Sequence, residues 1–150
     1  MSTQLSDPTY TGDLGGGLIR RWSTRADQAG IAHLLSHSFR DGPDDPPNVR
    51  SVDVARILMN GDFPYMGPGD FAIVEDTSRP GSPIVACTCL WRLRWRYGRI
   101  PLDVGQPEMV ATDAAYRKRG LARALFEMVE ARSTAEGRLV LAITGIRYFY

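Results

Sequence analysis

A chain of 150 residues with 43% hydrophobic content is long enough to form one domain with a real core. Its formal net charge of +1 gives no case for general polyanion binding, and no apolar run approaches the roughly 18 residues of a membrane span. The N-terminus lacks the charged start and apolar core of a secretion signal.

Residues 1–17 are polar and end in Gly15-Gly16-Gly17, which predicts a flexible N-terminal tail ahead of a domain over 18–150. Leu18 to Trp22 predicts a short first strand. Thr24 with Asp27 three residues later has the form of a capping box. Ile31, Leu34, Leu35 and Phe39 then form the buried face of a first helix. His33 and His37 share an i, i+4 spacing that binds metals in some helices. Here they lie opposite the apolar stripe and no third ligand is evident, so a solvated face is expected and no metal. The loop over 40–48 carries Asp41, Asp44 and Asp45 among three prolines. Ser51 is a candidate cap for a second helix with Val54, Ile57 and Leu58 inward, stopped by Asn60-Gly61.

Phe71 to Glu75 predicts a strand, and Pro80-Gly81 a turn. Ile84 to Arg96 predicts a long strand. In it Trp91, Leu93, Trp95 and Tyr97 alternate with Arg92, Arg94 and Arg96, which places aromatics on one face and arginines on the other. Interleaved arginine and aromatic residues also occur in nucleic-acid binding. A nearly neutral chain favours a half-buried strand with a basic outer face instead, so no nucleic-acid or membrane partner is expected. Cys87 and Cys89, two apart in this strand, fall on one face, which favours reduced thiols and a cytoplasmic setting. Tyr97-Gly98-Arg99 turns the chain back into a strand over Ile100 to Thr112.

The next stretch carries chemistry. Met109, Val110 and Thr112 favour a strand, and Arg117, Lys118, Arg119 and Gly120 form a basic turn. From Leu121 the apolar residues Ala124, Leu125, Met128 and Val129 return with helical spacing. A glycine just before a helix start lets a ligand approach, and the first N–H groups of the helix favour an anion. Arg123 and Glu127 fit an exposed i, i+4 pair. The apolar run Leu139 to Ile143 predicts a last strand buried on both faces.

The segment Arg117-Lys118-Arg119-Gly120-Leu121-Ala122 resembles the Arg/Gln-x-x-Gly-x-Gly/Ala pyrophosphate loop of the GCN5-related N-acetyltransferases. Glu108 and Val110-Ala111-Thr112 before it resemble that family's fourth strand. One departure is Ala114-Ala115, where many members carry proline before the Tyr-Arg pair. The alternative is an ordinary βαβ unit with a solvated basic turn.

The resemblance implies an α+β fold: a mixed, mostly antiparallel sheet with one parallel βαβ crossover. Its fourth and fifth strands splay around the pantetheine arm of acetyl-CoA. The implied reaction moves an acetyl group from acetyl-CoA, as co-substrate and without a metal, to a small-molecule or peptide amine. Glu108 would be the general base, and the Val110 N–H the oxyanion donor. Val110, Ala111 and Thr112 would hold the pantetheine, and Arg117, Lys118, Arg119, Gly120, Leu121, Ala122 and Arg123 the pyrophosphate. Phe149-Tyr150 resembles the start of the segment whose tyrosine protonates the leaving thiolate, which makes Tyr150 the candidate acid. The family fold continues beyond a fifth strand, so the resemblance also implies a longer protein with a sheet incomplete at residue 150. In the family the segment between the first two helices often borders the acceptor site, where acidity over 41–45 would favour a cationic amine. A CoA-binding regulatory module without turnover is the other reading.

Overall fold

The structure is a computed structural model that describes residues 2–145. A helix α1 (Ser2–Leu5) leads into a hairpin of β1 (Thr11–Gly15) and β2 (Leu18–Trp22). A 3-10 turn (Arg25–Asp27) then starts α2 (Gln28–Ser38), followed by α3 (Val49–Met59). Next come β3 (Phe71–Asp76), β4 (Ile84–Tyr97), β5 (Ile100–Thr112), a 3-10 turn (Ala114–Tyr116), α4 (Leu121–Ala135) and β6 (Val140–Leu141). The strands form one sheet in chain order, antiparallel except for β5 and β6. The fold is α+β with one parallel crossover through α4.

Apolar periodicity in the helices explains the layering. Ile31, Leu34 and Leu35 of α2 and Ala55, Leu58 and Met59 of α3 pack on Phe71, Ile73, Cys87 and Cys89 on one face of the sheet. Leu121, Leu125, Met128 and Val129 of α4 pack on Leu18, Trp22, Val74 and Leu90 on the other. Each fully buried Leu, Ile, Val, Phe or Met among them stabilises the fold by about 1.5–3 kcal/mol. The central strand β3 is buried on both faces, so it reads as a continuous apolar run rather than an alternation.

Two ion-pair groups tie layers together. Arg21 on β2 donates to both oxygens of Asp27 at 2.8 Å and to Glu75 of β3 at 2.9 Å. The Asp27 carboxylate also accepts the Thr24 N–H at 2.7 Å. Burial works to raise the Asp27 pKa, but the Arg21 and Thr24 hydrogen bonds outweigh it and hold the carboxyl below its ordinary value. Arg92 of β4 bridges Asp70 at 2.7 Å and Glu136, beyond α4, at 2.7 Å.

Several sequence expectations are corrected. Residues 11–15 are not part of a tail but the edge strand of the sheet. Gly15, Gly16 and Gly17, all at positive φ (86°, 61° and 82°), are its turn. Trp22 Nε1 donates to the Leu5 carbonyl at 2.8 Å, and α1 lies against α4. Asn48, not Ser51, caps α3, accepting the Arg50 N–H at 3.0 Å, while Ile57 faces out at 48% exposure. Phe39 ends α2 at 40% exposure instead of joining the buried face. Arg123 does not pair with Glu127, because Arg20 of β2 reaches that carboxylate at 2.9 Å.

The long strands depart from expectation where they leave the helices behind. Arg92 is engaged on the α4 side, and Trp95 and Tyr97 are exposed because the tip of the β4–β5 hairpin extends past both helical layers. β6 spans only Val140–Leu141 and is not buried on both faces: among the described residues it is a sheet edge, with Leu139 at 88% exposure. Among the described residues no helix is long and apolar enough to cross a membrane.

Candidate active site

The site is built where β5 loses its neighbours. On one side, two steps in β4 (Cys87 to Cys89) face three in β5 (Ala111 to Glu108), so β5 bulges. Met109 takes φ 54°, a left-handed value rare for a residue other than glycine. Such a bulge interrupts the ladder and re-aims main-chain groups. Side chains pin it: Thr88 Oγ1 donates to the Glu108 carbonyl at 3.0 Å, and Cys87 Sγ to the Met109 carbonyl at 3.5 Å. On the other side, β6 pairs with β5 only at Val104 and Gly105, with a last bond from Ala142 N–H to the Gly105 carbonyl at 2.9 Å. Among the described residues, no strand pairs with Gln106–Thr112 along that edge.

The gap between the strands is a cleft of about 790 Å³. Its floor is β5 from Pro107 to Thr112, and Ile143 and Thr144 line the far wall. Ser38 and Phe39 close one end, and the turn before α4 closes the other with Arg117, Lys118, Gly120 and Ala122.

That turn has the geometry of an anion site. Asp113 fixes its start by accepting the Ala115 N–H at 2.8 Å. Tyr116 is buried and donates its hydroxyl to Asp76 at 2.6 Å, which anchors the turn to β3. Lys118 and Gly120 both take left-handed conformations, φ 61° and 75°. Alternating handedness curls successive N–H groups into one concavity, and Gly120 hands it to the start of α4, where the helix dipole is positive. The first intrahelical bond runs from Ala124 N–H to the Gly120 carbonyl, so the N–H groups of Leu121, Ala122 and Arg123 lie ahead of the ladder.

Glu108, Val110, Ala111, Thr112, Arg117, Lys118, Gly120, Leu121 and Ala122 all line the cleft. Arg119 does not: its guanidinium donates to the Ala115 carbonyl at 3.1 Å and stacks over Tyr116 at 4.9 Å. Arg123 is exposed on α4, outside the lining. Tyr150 lies outside the described residues. Sequence reasoning passed over Phe126, one helical turn after Ala122, and Phe39, assigned to the core. It also passed over Gln106, whose Nε2 donates to Glu108 Oε1 at 2.5 Å. The i+4 spacing from Ala122 was the available signal for Phe126, and the i+2 spacing from Glu108 in a strand for Gln106.

Burial pushes the Cys87 thiol up to about 12, and holds the Cys89 thiol well above its ordinary value. Neither thiol is a nucleophile at neutral pH. His33 and His37 pack with ring centroids 4.2 Å apart and planes tilted by 39° on an exposed helix face. Among the described residues no group of three or more His, Cys, Asp or Glu side chains is placed to hold a metal ion.

The fold agrees with that of solved acetyltransferases. An acetyltransferase from Trypanosoma brucei superposes with a TM-score of 0.57 at 21% identity, over 87% of this chain and 84% of that one. Glucosamine-6-phosphate N-acetyltransferase from Arabidopsis thaliana superposes with a TM-score of 0.60 at 17% identity, over 87% and 83%. AAC(6')-Iy, solved with a CoA-containing bisubstrate analogue, superposes with a TM-score of 0.60 at 15% identity, over 88% and 82%. No family sequence model matches the chain, and no curated protein matches its sequence. The chain has the fold of the GCN5-related N-acetyltransferases.

Proposed function

We propose that this protein transfers an acetyl group from acetyl-CoA to an amine. The observation that carries the reading is the continuity of one cleft: an unpaired, bulged edge of β5 at its floor and a left-handed, amide-lined turn at its end. The turn suits a pyrophosphate, and the strand edge suits the amide groups of a pantetheine arm. When bound, acetyl-CoA supplies the acyl group as a thioester, so amine and thioester become amide and thiol.

The residues divide that work. Backbone groups of Val110, Ala111 and Thr112 hold the arm, and the N–H groups from Lys118 to Arg123 hold the phosphates. The N–H of Val110, beside the bulge, donates to the carbonyl oxygen as it gains negative charge. An alkylammonium, with a pKa near ~10, must lose a proton before its nitrogen can attack. Glu108 takes that proton, directly or through a water; Gln106 holds one carboxylate oxygen and orients the other. The departing thiolate takes its proton from Tyr150, a role assigned from sequence pattern. The buried thiols at Cys87 and Cys89 suit a reducing compartment such as the cytoplasm.

The deciding experiment pairs two measurements. Free thiol released from acetyl-CoA is followed with a panel of amines, and thermal stabilisation by CoA is measured on the same protein. Stabilisation with amine-dependent thiol release supports acetyl transfer. Stabilisation without release by any amine would establish a CoA-binding module instead, and neither effect would remove both readings.

A further inference from the structure

The two ends of the cleft differ in chemistry. The phosphate end is basic and polar, whereas an aromatic cluster stands on the sheet near Glu108, just beyond the residues that line the cleft. Strand register puts Cys89 opposite Glu108 and Trp91 opposite Gln106. Cross-strand partners share a face of the sheet. Cys89 is packed on the α2–α3 side, so Trp91, Gln106 and Glu108 lie on that side too. Two residues along a strand is about 7 Å, which separates the Trp91 pair from the Glu108 pair.

Trp91 is the base of a ring cluster. Phe63 packs on it at 5.2 Å, and Tyr65 stacks on it at 6.3 Å with the planes 29° apart. Phe63 and Tyr65 meet edge to face at 5.4 Å. The Tyr65 carbonyl accepts the Arg92 N–H at 2.8 Å, which ties the loop to β4 and fixes the ring position. Tyr65 is 42% exposed, so the stack presents a surface and is not closed into the core. Phe39, 40% exposed, lines the cleft together with Glu108. The nearest cation on β4, Arg92, is held on the opposite face by Asp70 and Glu136.

We propose that this aromatic wall is the subsite for the body of the amine acceptor, and that the preferred acceptor is a primary amine joined by a short alkyl chain to a flat apolar ring. The inference rests on the acetyl-transfer reading and adds the substrate class to it. A ring seated on Tyr65 and Trp91 places an amine two or three bonds away within reach of Glu108. The ammonium gains from the aromatic faces before it gives up its proton. An acceptor bearing a phosphate or carboxylate in place of the ring finds apolar surface at the stack, with Arg92 turned to the opposite face, and a buried charge without a partner is disfavoured.

The test compares kcat/KM for 2-phenylethylamine, n-butylamine and glucosamine at saturating acetyl-CoA. The aryl amine is expected to lead by at least tenfold. Tyr65→Ala should remove most of that lead through KM, lower n-butylamine kcat/KM far less than that of 2-phenylethylamine, and leave CoA affinity unchanged. Tyr65→Phe should retain the lead. Because Tyr65 is exposed, both variants are expected to fold, and melting curves check this. Equal kcat/KM for the three amines overturns the subsite, as does an equal effect of Tyr65→Ala on 2-phenylethylamine and n-butylamine. Calorimetry of 2-phenylethylamine with CoA-loaded protein separates the two layers of the argument. Binding that Tyr65→Ala weakens, without turnover, supports the subsite and removes the transfer reaction. Turnover of glucosamine alone supports the transfer reaction and removes the subsite.

Discussion

Gly120 is where backbone conformation and ligand binding meet most directly. It sits at φ 75°, ψ 10° immediately before α4. A Cβ built there would meet nothing within 4 Å, so the protein itself leaves room for a side chain. Substitution therefore acts in two separable ways: it strains a left-handed residue, and it places a methyl group where a phosphate would approach. The strain costs about 1–2 kcal/mol for an ordinary L-residue, and a β-branched residue tolerates the conformation worst. If the turn relaxes to relieve that strain, its N–H groups lose their common aim. At 1.4 kcal/mol per tenfold, the strain alone corresponds to about 5–30-fold in affinity. Calorimetric titration of CoA into wild type, Gly120→Val, Gly120→Ala and Gly120→Asn measures this. Asparagine tolerates left-handed conformations, so Gly120→Asn isolates steric approach from strain. The expected order of affinity is wild type, Asn, Ala, Val, with Val at least tenfold weaker than wild type. Equal CoA affinity for wild type and Gly120→Val would refute the assignment of this turn to the pyrophosphate.

Other perturbations probe separate parts of the fold and site. Glu108→Gln should lower kcat by about two to four orders of magnitude, the usual worth of general acid–base help, with CoA affinity unchanged; unaltered turnover at neutral pH would move the base elsewhere. Cys87 and Cys89 should resist iodoacetamide at pH 8 in the folded protein and react fully in denaturant, read by mass, because burial raises both thiols. Asp27→Asn keeps an oxygen acceptor but removes the charge that Arg21 engages, so it should cost about 1.5–3 kcal/mol at pH 7 in urea unfolding. The folded pKa of Asp27 lies below its ordinary 3.8, so the wild-type advantage is present above that value and is lost as pH falls through the folded one. A difference between the two proteins that stays constant from pH 7 to pH 3 would rule out this linkage.

What the sequence determined lies in short stretches whose chemistry is local. Strand, basic turn and helix over 108–123 were legible because Gly120 and the apolar spacing from Leu121 act within a few residues of themselves. The helices α2 and α3 were legible for the same reason, apart from positions such as Ile57 and Phe39. There the side of the helix that meets the sheet depends on the angle of packing, not on spacing alone. The polar stretch ending in Gly15-Gly16-Gly17 predicts a flexible tail because a turn and a tail share a composition; the ladder from Thr11 to Arg21 distinguishes them.

Tertiary structure alone decided the features on which the proposed chemistry depends. The bulge at Met109 is a mismatch between two strands, set by pairing across some twenty residues of chain, and no residue near it announces the mismatch. The apolar run Leu139 to Ile143 predicts a strand buried on both faces, but burial is a property of neighbours, and β6 has one strand beside it among the described residues. The aromatic wall joins a loop at 63–65 to a strand at 91 and a carboxylate at 108, three segments that sequence order keeps apart. Local propensity fixes the elements, whereas the register and splay of the strands decide which of their groups are left free to meet a substrate.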